Sequence, residues 1–191
     1  MRKSSPALLA FFYCDFREEQ KTQLRGLLSS LLFQLCNQSN SYHDILSVFY
    51  ATHDHGMQSP TDDKLLRCFK NLLELPGQAP IYLIIDALDE CSDSSSLPSP
   101  REEVLNLLEE LAESRLTNLR ICVTSRPETD IKLILEPLAR HSISIHDETG
   151  QMEDIENYIR SVVNTDPKYR RWKEEDRRMV IDVLTECADG M

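Results

Sequence analysis

The chain has 191 residues, 41% hydrophobic and 28% charged, enough for one domain with an ordinary core and far from the composition of a disordered polymer. Thirty-two acidic residues against 21 basic ones give a net charge of −11, and the one dense basic run, Lys168 to Arg178, is interleaved with Glu174, Glu175 and Asp176, which excludes nucleic acid as a partner. The first apolar stretch ends at Cys14, too short for a membrane span or a signal core, and the six cysteines are single and without a Cys-x-x-Cys pair, so the expectation is a cytoplasmic protein with no membrane anchor and reduced thiols.

Ala7 to Cys14 is almost wholly apolar and rich in aromatics, which predicts a strand buried on both faces in a sheet covered by helices. Leu24, Leu27, Leu28, Leu31, Leu32 and Leu35 follow at helical spacing and predict a helix with one apolar stripe. Asn37 to Ser41 breaks that pattern. Ile45, Val48 and Phe49 then suggest a short second helix before the His53-Asp54-His55-Gly56 loop. Ser59-Pro60-Thr61-Asp62 has the form of a helix start, with Ser59 as cap and Pro60 at the first position, and Leu65, Leu66, Phe69, Leu72 and Leu73 give the buried face.

Ile81 to Ile85 is a short apolar run that ends at Asp86 and suits a central strand. Beyond a Ser/Pro-rich loop, Ser99-Pro100-Arg101-Glu102 forms a capping box for a helix running to about Ser114. Leu119 to Thr124 is the next strand and ends at Ser125-Arg126-Pro127. Ile131 to Leu135 reads as a short helix, and Ser142 to Ile145 as a weaker strand. Met152, Ile155, Ile159, Val162 and Val163 mark another helix, and Glu174 to Thr185 a last one. Strands alternating with helices predict an α/β sheet with mostly parallel strands. Ligands of such sheets bind beyond the carboxyl ends of the strands, where Asp15, Asp86 to Glu90 and Ser125-Arg126 all fall.

An acid at the end of a buried strand is held rigidly enough to orient a magnesium ion against nucleotide phosphates. Taken alone, Asp86 is an ordinary solvated strand end. Three acids in five residues, Asp86, Asp89 and Glu90, shift the balance toward chemistry, because such carboxylates can polarise an attacking water. Arg126 would reach the same edge from the neighbouring strand, and its planar fork suits phosphate oxygens; the plainer reading is a surface ion pair of little worth.

Ile81-Tyr82-Leu83-Ile84-Ile85-Asp86-Ala87-Leu88-Asp89-Glu90 looks like the extended Walker B motif of NACHT domains, the STAND-class P-loop NTPases of fungal NLR-like proteins. Ile121-Cys122-Val123-Thr124-Ser125-Arg126-Pro127-Glu128 resembles their sensor strand. Phe11 to Phe16 and the helix containing Gly26 to Leu35 are similar to the segment that follows the phosphate loop in fungal members. The resemblance implies a three-layer P-loop NTPase-like α/β sheet, with residues 1–147 as a partial NTPase core and 148–191 as the start of the helical region that follows it. It makes Asp86 the magnesium-orienting acid, Asp89 and Glu90 the acids near the hydrolytic water, and Arg126 the sensor of the γ-phosphate. It further implies Mg2+ with ATP or GTP as cofactors of the intact domain, and signal-dependent self-association or protein partners.

Five glycines, Gly26, Gly56, Gly77, Gly150 and Gly190, occur in the chain, and none begins a G-x-x-x-x-G-K-[ST] pattern. That loop supplies the backbone N–H groups, the lysine and the hydroxyl that grip the phosphates, so nucleotide binding by this chain alone is expected to be weak or absent. The phosphate-loop strand is expected to be missing from the centre of the family's sheet, and the sequence to be a fragment or shortened product, with Ala188 to Met191 resembling the start of a further helix. A competing expectation is a non-enzymatic interaction module that binds a relative or a partner helix. A Cys or Ser hydrolase using His43, His53, His55, His141 or His146 has no nucleophile motif behind it, and a surface role is expected for His53 and His55.

Overall fold

The computed structural model describes residues 7–53, 56–93, 97–144 and 149–187, with side chains described from 153 onward in the last segment. The chain divides into two compact units, Met1–Ala139 and Arg140–Met191.

The first unit is built on three parallel strands, β1 (Leu8–Tyr13), β2 (Ile81–Asp86) and β3 (Leu119–Val123), in the order β1-β2-β3. Leu8, Ile81 and Leu119 share one register line, and Phe12, Ile85 and Val123 another, so the three carboxyl ends open onto a common rim. Helices α1 (Leu24–Cys36), α2 (Asn40–Ala51), α3 (Asp62–Leu73), α4 (Pro100–Glu113) and α5 (Thr129–Leu135) make up the rest of this unit's regular helix. The leucine stripe of α1 behaves as its spacing requires: Leu27, Leu28, Leu31 and Leu35 are fully buried. Each stabilises the fold by roughly 1.5–3 kcal/mol relative to exposure. They meet Phe69 and Leu72 of α3, Val104 and Leu108 of α4, and the inward side chains of the sheet in one core.

That core covers one face of the sheet. Leu8, Ala10, Phe12, Ile81, Leu83 and Ile85 are buried, whereas Leu9, Phe11, Tyr13 and Tyr82 on the opposite face are exposed. The expectation that the first strand is buried on both faces is therefore corrected. Strand side chains alternate between faces, and the described helices of this unit pack on the even-numbered side of β1 alone.

The two sheet edges differ. At the outer edge of β1 the carboxamides of Gln34 and Gln38 replace a neighbouring strand. Gln34 accepts from the Phe11 N–H (3.0 Å) and donates to the Phe11 carbonyl (2.7 Å), and Gln38 does the same for Leu9 (3.0 and 2.6 Å). Every outward-facing backbone pair along the middle of that edge is satisfied, as edges need if they are not to recruit another chain. The outer edge of β3 has no strand beside it among the described residues. The anticipated strand at Ser142–Ile145 does not supply one: residues 142–144 are exposed and outside any ladder, because two serines around one isoleucine offer little to bury, and Ile145 lies outside the described residues.

Local signals hold at α4, where the Ser99 hydroxyl accepts from the Glu102 N–H (3.2 Å) and the Glu102 carboxylate from the Ser99 N–H (2.8 Å). They slip at α3, which starts at Asp62 behind Thr61, two residues beyond the position that Ser59 and Pro60 suggest. Arg25 of α1 explains the shift. Its guanidinium takes the Pro60 carbonyl (2.7 Å) and pairs with Asp62, holding the approach to the helix in extended form.

The second unit consists of α6 (Thr149–Thr165), a 3-10 turn at Pro167–Tyr169 and α7 (Glu174–Cys187). Asp166 caps the turn through the Lys168 N–H (2.9 Å), Tyr169 and Trp172 stack edge to face at 4.9 Å, and among the described residues of this unit Val163 and Ile181 are the buried apolar side chains. Residues Ala188 to Met191, together with Asp54, His55 and His146, lie outside the described residues. No helix among the described residues is long and apolar enough to cross a membrane.

Candidate functional site

The end of β2 turns sharply into the acids. Asp86 is the last strand residue, Ala87 adopts a left-handed conformation (φ 55°, ψ 50°), and Leu88–Glu90 form a 3-10 turn anchored by the fully buried Leu88. A non-glycine residue in that region costs about 1–2 kcal/mol, so the surroundings must impose it. Thr124, just past β3, does so: its hydroxyl accepts from the Ala87 N–H (3.0 Å) and donates to the Asp86 carboxylate, while its carbonyl accepts from the Leu88 N–H (3.0 Å).

The three acids face different partners on one rim. Asp86 is held by Thr124. Asp89 accepts from the Arg126 N–H (3.0 Å), and its other oxygen lies 3.5 Å from Nε of the same arginine. Glu90 accepts from the Phe16 N–H (3.2 Å), linking the turn to the exit of β1. The guanidinium of Arg126 is 82% exposed, so this ion pair is worth less than about 1 kcal/mol and the side chain is free to exchange partners. Asp15 does not join the cluster. It turns to Arg17, which donates from Nε and Nη2 (2.8 Å each), and these bonds hold its carboxyl well below the usual range, at about 2.

Arg101, absent from the motif reading, ties the turn down. Its Nη2 donates to the Asp89 carbonyl (2.7 Å), its Nε to the Cys91 carbonyl (3.1 Å), and Nη1 pairs with Asp130 at 3.2 Å. A signal for it exists in the sequence: a cation in the first turn of a helix opposes the helix dipole and calls for a specific anionic or carbonyl partner. Thr124 has no such flag, because a threonine at a strand end is common.

A cavity of about 380 Å³ opens here, lined by Phe16, Asp89, Glu90, Asp93, Arg101, Arg126 and Glu128 among others. Four carboxylates against two guanidiniums leave its wall with a formal charge of −2, which repels bare phosphate and favours a cation. Among the described residues no three His, Cys, Asp or Glu side chains gather as a metal cage. This donor set fits a magnesium ion held by one or two carboxylates and completed by phosphate oxygens and water, and does not fit an all-protein site; Asp86, held by Thr124, is not among the lining residues. A larger hollow of about 600 Å³ beside α2 is mostly apolar and carries no such set. His53 borders it and is buried, correcting its expected surface role: its Nδ1 lies 2.8 Å from the Phe49 carbonyl and its ring stacks on Phe49 at 4.5 Å.

Comparison with known proteins gives two matches. The family profile described as "Nephrocystin 3, N-terminal" matches residues 1–126. The vegetative incompatibility protein HET-E-1 of Podospora anserina is 29% identical over 160 residues, covering 78% of this chain and 11% of that protein. No solved structure matches. The chain thus spans about a ninth of the curated relative's length, and the profile runs from the start of the chain through the acid turn to Arg126. The chain belongs to the nephrocystin 3 N-terminal family, a NACHT-related group.

Proposed function

We propose that this chain carries the acid and sensor part of a NACHT-type nucleotide switch. In this reading Asp86 orients magnesium, Asp89 and Glu90 position the water, and Arg126 responds to the γ-phosphate of ATP or GTP. Bound magnesium supplies the charge compensation that lets a triphosphate approach a wall of negative charge.

The observation that carries the reading is the bond from the Arg126 N–H to the Asp89 carboxylate, which couples the end of β3 to the acid turn of β2. Because the exposed Arg126 guanidinium contributes so little where it stands, a phosphate offering two charge-assisted bonds would draw it away. That movement frees one oxygen of Asp89 and leaves the backbone tether in place. Arg101 and Thr124 keep the turn from following.

Lacking a G-x-x-x-x-G-K-[ST] segment, these 191 residues are expected to bind Mg-nucleotide with an affinity weaker than micromolar. Calorimetric titration with ATP and GTP, with and without Mg2+, tests this. Weak, magnesium-dependent binding that Asp86→Asn and Arg126→Ala each abolish supports the assignment. Binding that neither substitution changes, or binding that does not depend on Mg2+, contradicts it.

A second reading, a non-enzymatic interaction module, is favoured by the uncovered sheet face of Leu9, Phe11, Tyr13 and Tyr82. An amphipathic partner helix would cover it. Sedimentation velocity that finds a strict monomer, together with an unchanged profile for Phe11→Ser, counts against self-association through that face. A cytoplasmic location is part of the same proposal.

A further inference from the structure

Two thiols meet directly beneath the acid turn. Cys14 is the residue after β1, its N–H bonded to the Asp86 carbonyl (3.0 Å), and Cys91 follows Glu90, its N–H bonded to the Leu88 carbonyl (3.1 Å). Both are free and buried, at 5% and 2% exposure, and their sulfurs lie 3.3 Å apart although 77 positions separate them in the chain. We propose that this pair is a site of reversible oxidation, at which hydrogen peroxide closes a Cys14–Cys91 disulfide that fastens the acid turn to the end of β1.

A disulfide needs the sulfurs about 2.05 Å apart, so each must move by well under an ångström, which small side-chain rotations supply. The pair is also chemically unequal. The hydrogen bond between the sulfurs and then the Arg101 guanidinium hold the Cys91 thiol down against its burial. The same hydrogen bond, and burial, hold Cys14 up. The geometry itself is asymmetric: Arg101 stands against Cys91, its Nε bonded to the Cys91 carbonyl (3.1 Å), so Cys91 is taken as the attacking sulfur and Cys14 as the resolving one.

In the first step the Cys91 sulfur attacks one peroxide oxygen: an S–O bond forms, the O–O bond breaks, and the departing hydroxide takes a proton to leave as water. In the second, the Cys14 sulfur attacks the sulfenic acid at Cys91: the S–S bond forms, the S–O bond breaks, and hydroxide leaves with the Cys14 proton as a second water. Two thiols give up two electrons and two protons, and one peroxide becomes two waters. A small oxidant is required because the burial of both sulfurs bars a bulky disulfide donor. Thiol reductants reverse the change.

The experiment treats the reduced, nucleotide-free chain with hydrogen peroxide, alkylates it under denaturing conditions, and maps the peptides by mass. Nucleotide-free protein keeps the result separate from the nucleotide assignment. The expected product lacks two hydrogens, yields a peptide linking residues 14 and 91, reverts with phosphine reductant, and melts about 5–15 °C higher, as closing a long loop implies. Cys14→Ser and Cys91→Ser each remove the linked peptide, and Cys122→Ser with Cys187→Ser leaves it; should the first two fail to fold, the wild-type map alone decides. A different linkage, or peroxide consuming the exposed Cys122 and Cys187 while both buried thiols are recovered free, overturns the proposal.

Discussion

Replacing Arg101 with methionine isolates what holds the acid turn, since the apolar stem is kept and the guanidinium lost. The side chain is 12% exposed and its bonds to the Asp89 and Cys91 carbonyls measure 2.7 and 3.1 Å. Hydrogen bonds to a charged group contribute about 1.5–3 kcal/mol each, and a carbonyl left buried without a partner costs a similar amount. The pair with Asp130 adds nothing measurable, because that acid is 43% exposed. Water entering from the neighbouring cavity resolvates part of what is lost. The net expectation is a destabilisation of about 2–4 kcal/mol, read as a lower urea midpoint at unchanged slope by far-UV circular dichroism, together with faster amide exchange at residues 88–91. Arg101→Lys, with a single ammonium, should recover no more than about half, since it cannot span both carbonyls. A loss below about 1 kcal/mol with unchanged exchange would show that the turn holds itself and that Arg101 is incidental.

Other substitutions probe the frame around the site. A Cβ added at Gly26 would lie 1.7 Å from the Gln20 carbonyl oxygen, so Gly26→Ala should cost at least about 3 kcal/mol in a urea melt by driving the 3-10 turn at Glu19–Lys21 off α1. The double change Gln34→Ala and Gln38→Ala removes four bonds that close the edge of β1, and should cost about 2–3 kcal/mol and produce concentration-dependent association in sedimentation velocity. Ala87→Val places a β-branched residue at φ 55° and should lose at least about 2 kcal/mol by the same melt. The carboxyl of Asp15, depressed from 3.8 to about 2 by Arg17, contributes stability that is whole above about pH 4 and lost as pH falls toward 2. Carboxyl NMR titration should find that midpoint in the intact chain and a return toward the ordinary value in Arg17→Gln.

Much of the site was legible because strand ends and acids are local signals. Asp86 to Glu90 and Arg126 stand on a common rim because parallel pairing aligns the ends of β2 and β3, and the apolar run Ile81 to Ile85, which stops at Asp86, announces the first of those ends. The capping box at Ser99 was legible for the same reason. What was not legible depends on partners distant in sequence. Nothing near Thr124 tells that its hydroxyl will hold both Asp86 and the left-handed Ala87, and nothing near Pro60 tells that Arg25 will claim its carbonyl. The bare face of the sheet was hidden because Leu9, Phe11 and Tyr13 are as apolar as the residues between them, so alternation could not reveal which side is covered.

The most direct test of the account uses Mn2+ as a paramagnetic stand-in for magnesium in amide NMR spectra of the full chain. With ATP or GTP present, selective broadening is expected at residues 86–90 and 124–126, and Asp86→Asn should abolish it. Broadening centred elsewhere, such as the acidic start of α7 at Glu174, Glu175 and Asp176, or broadening indifferent to nucleotide, would contradict the assignment of this rim to phosphate chemistry.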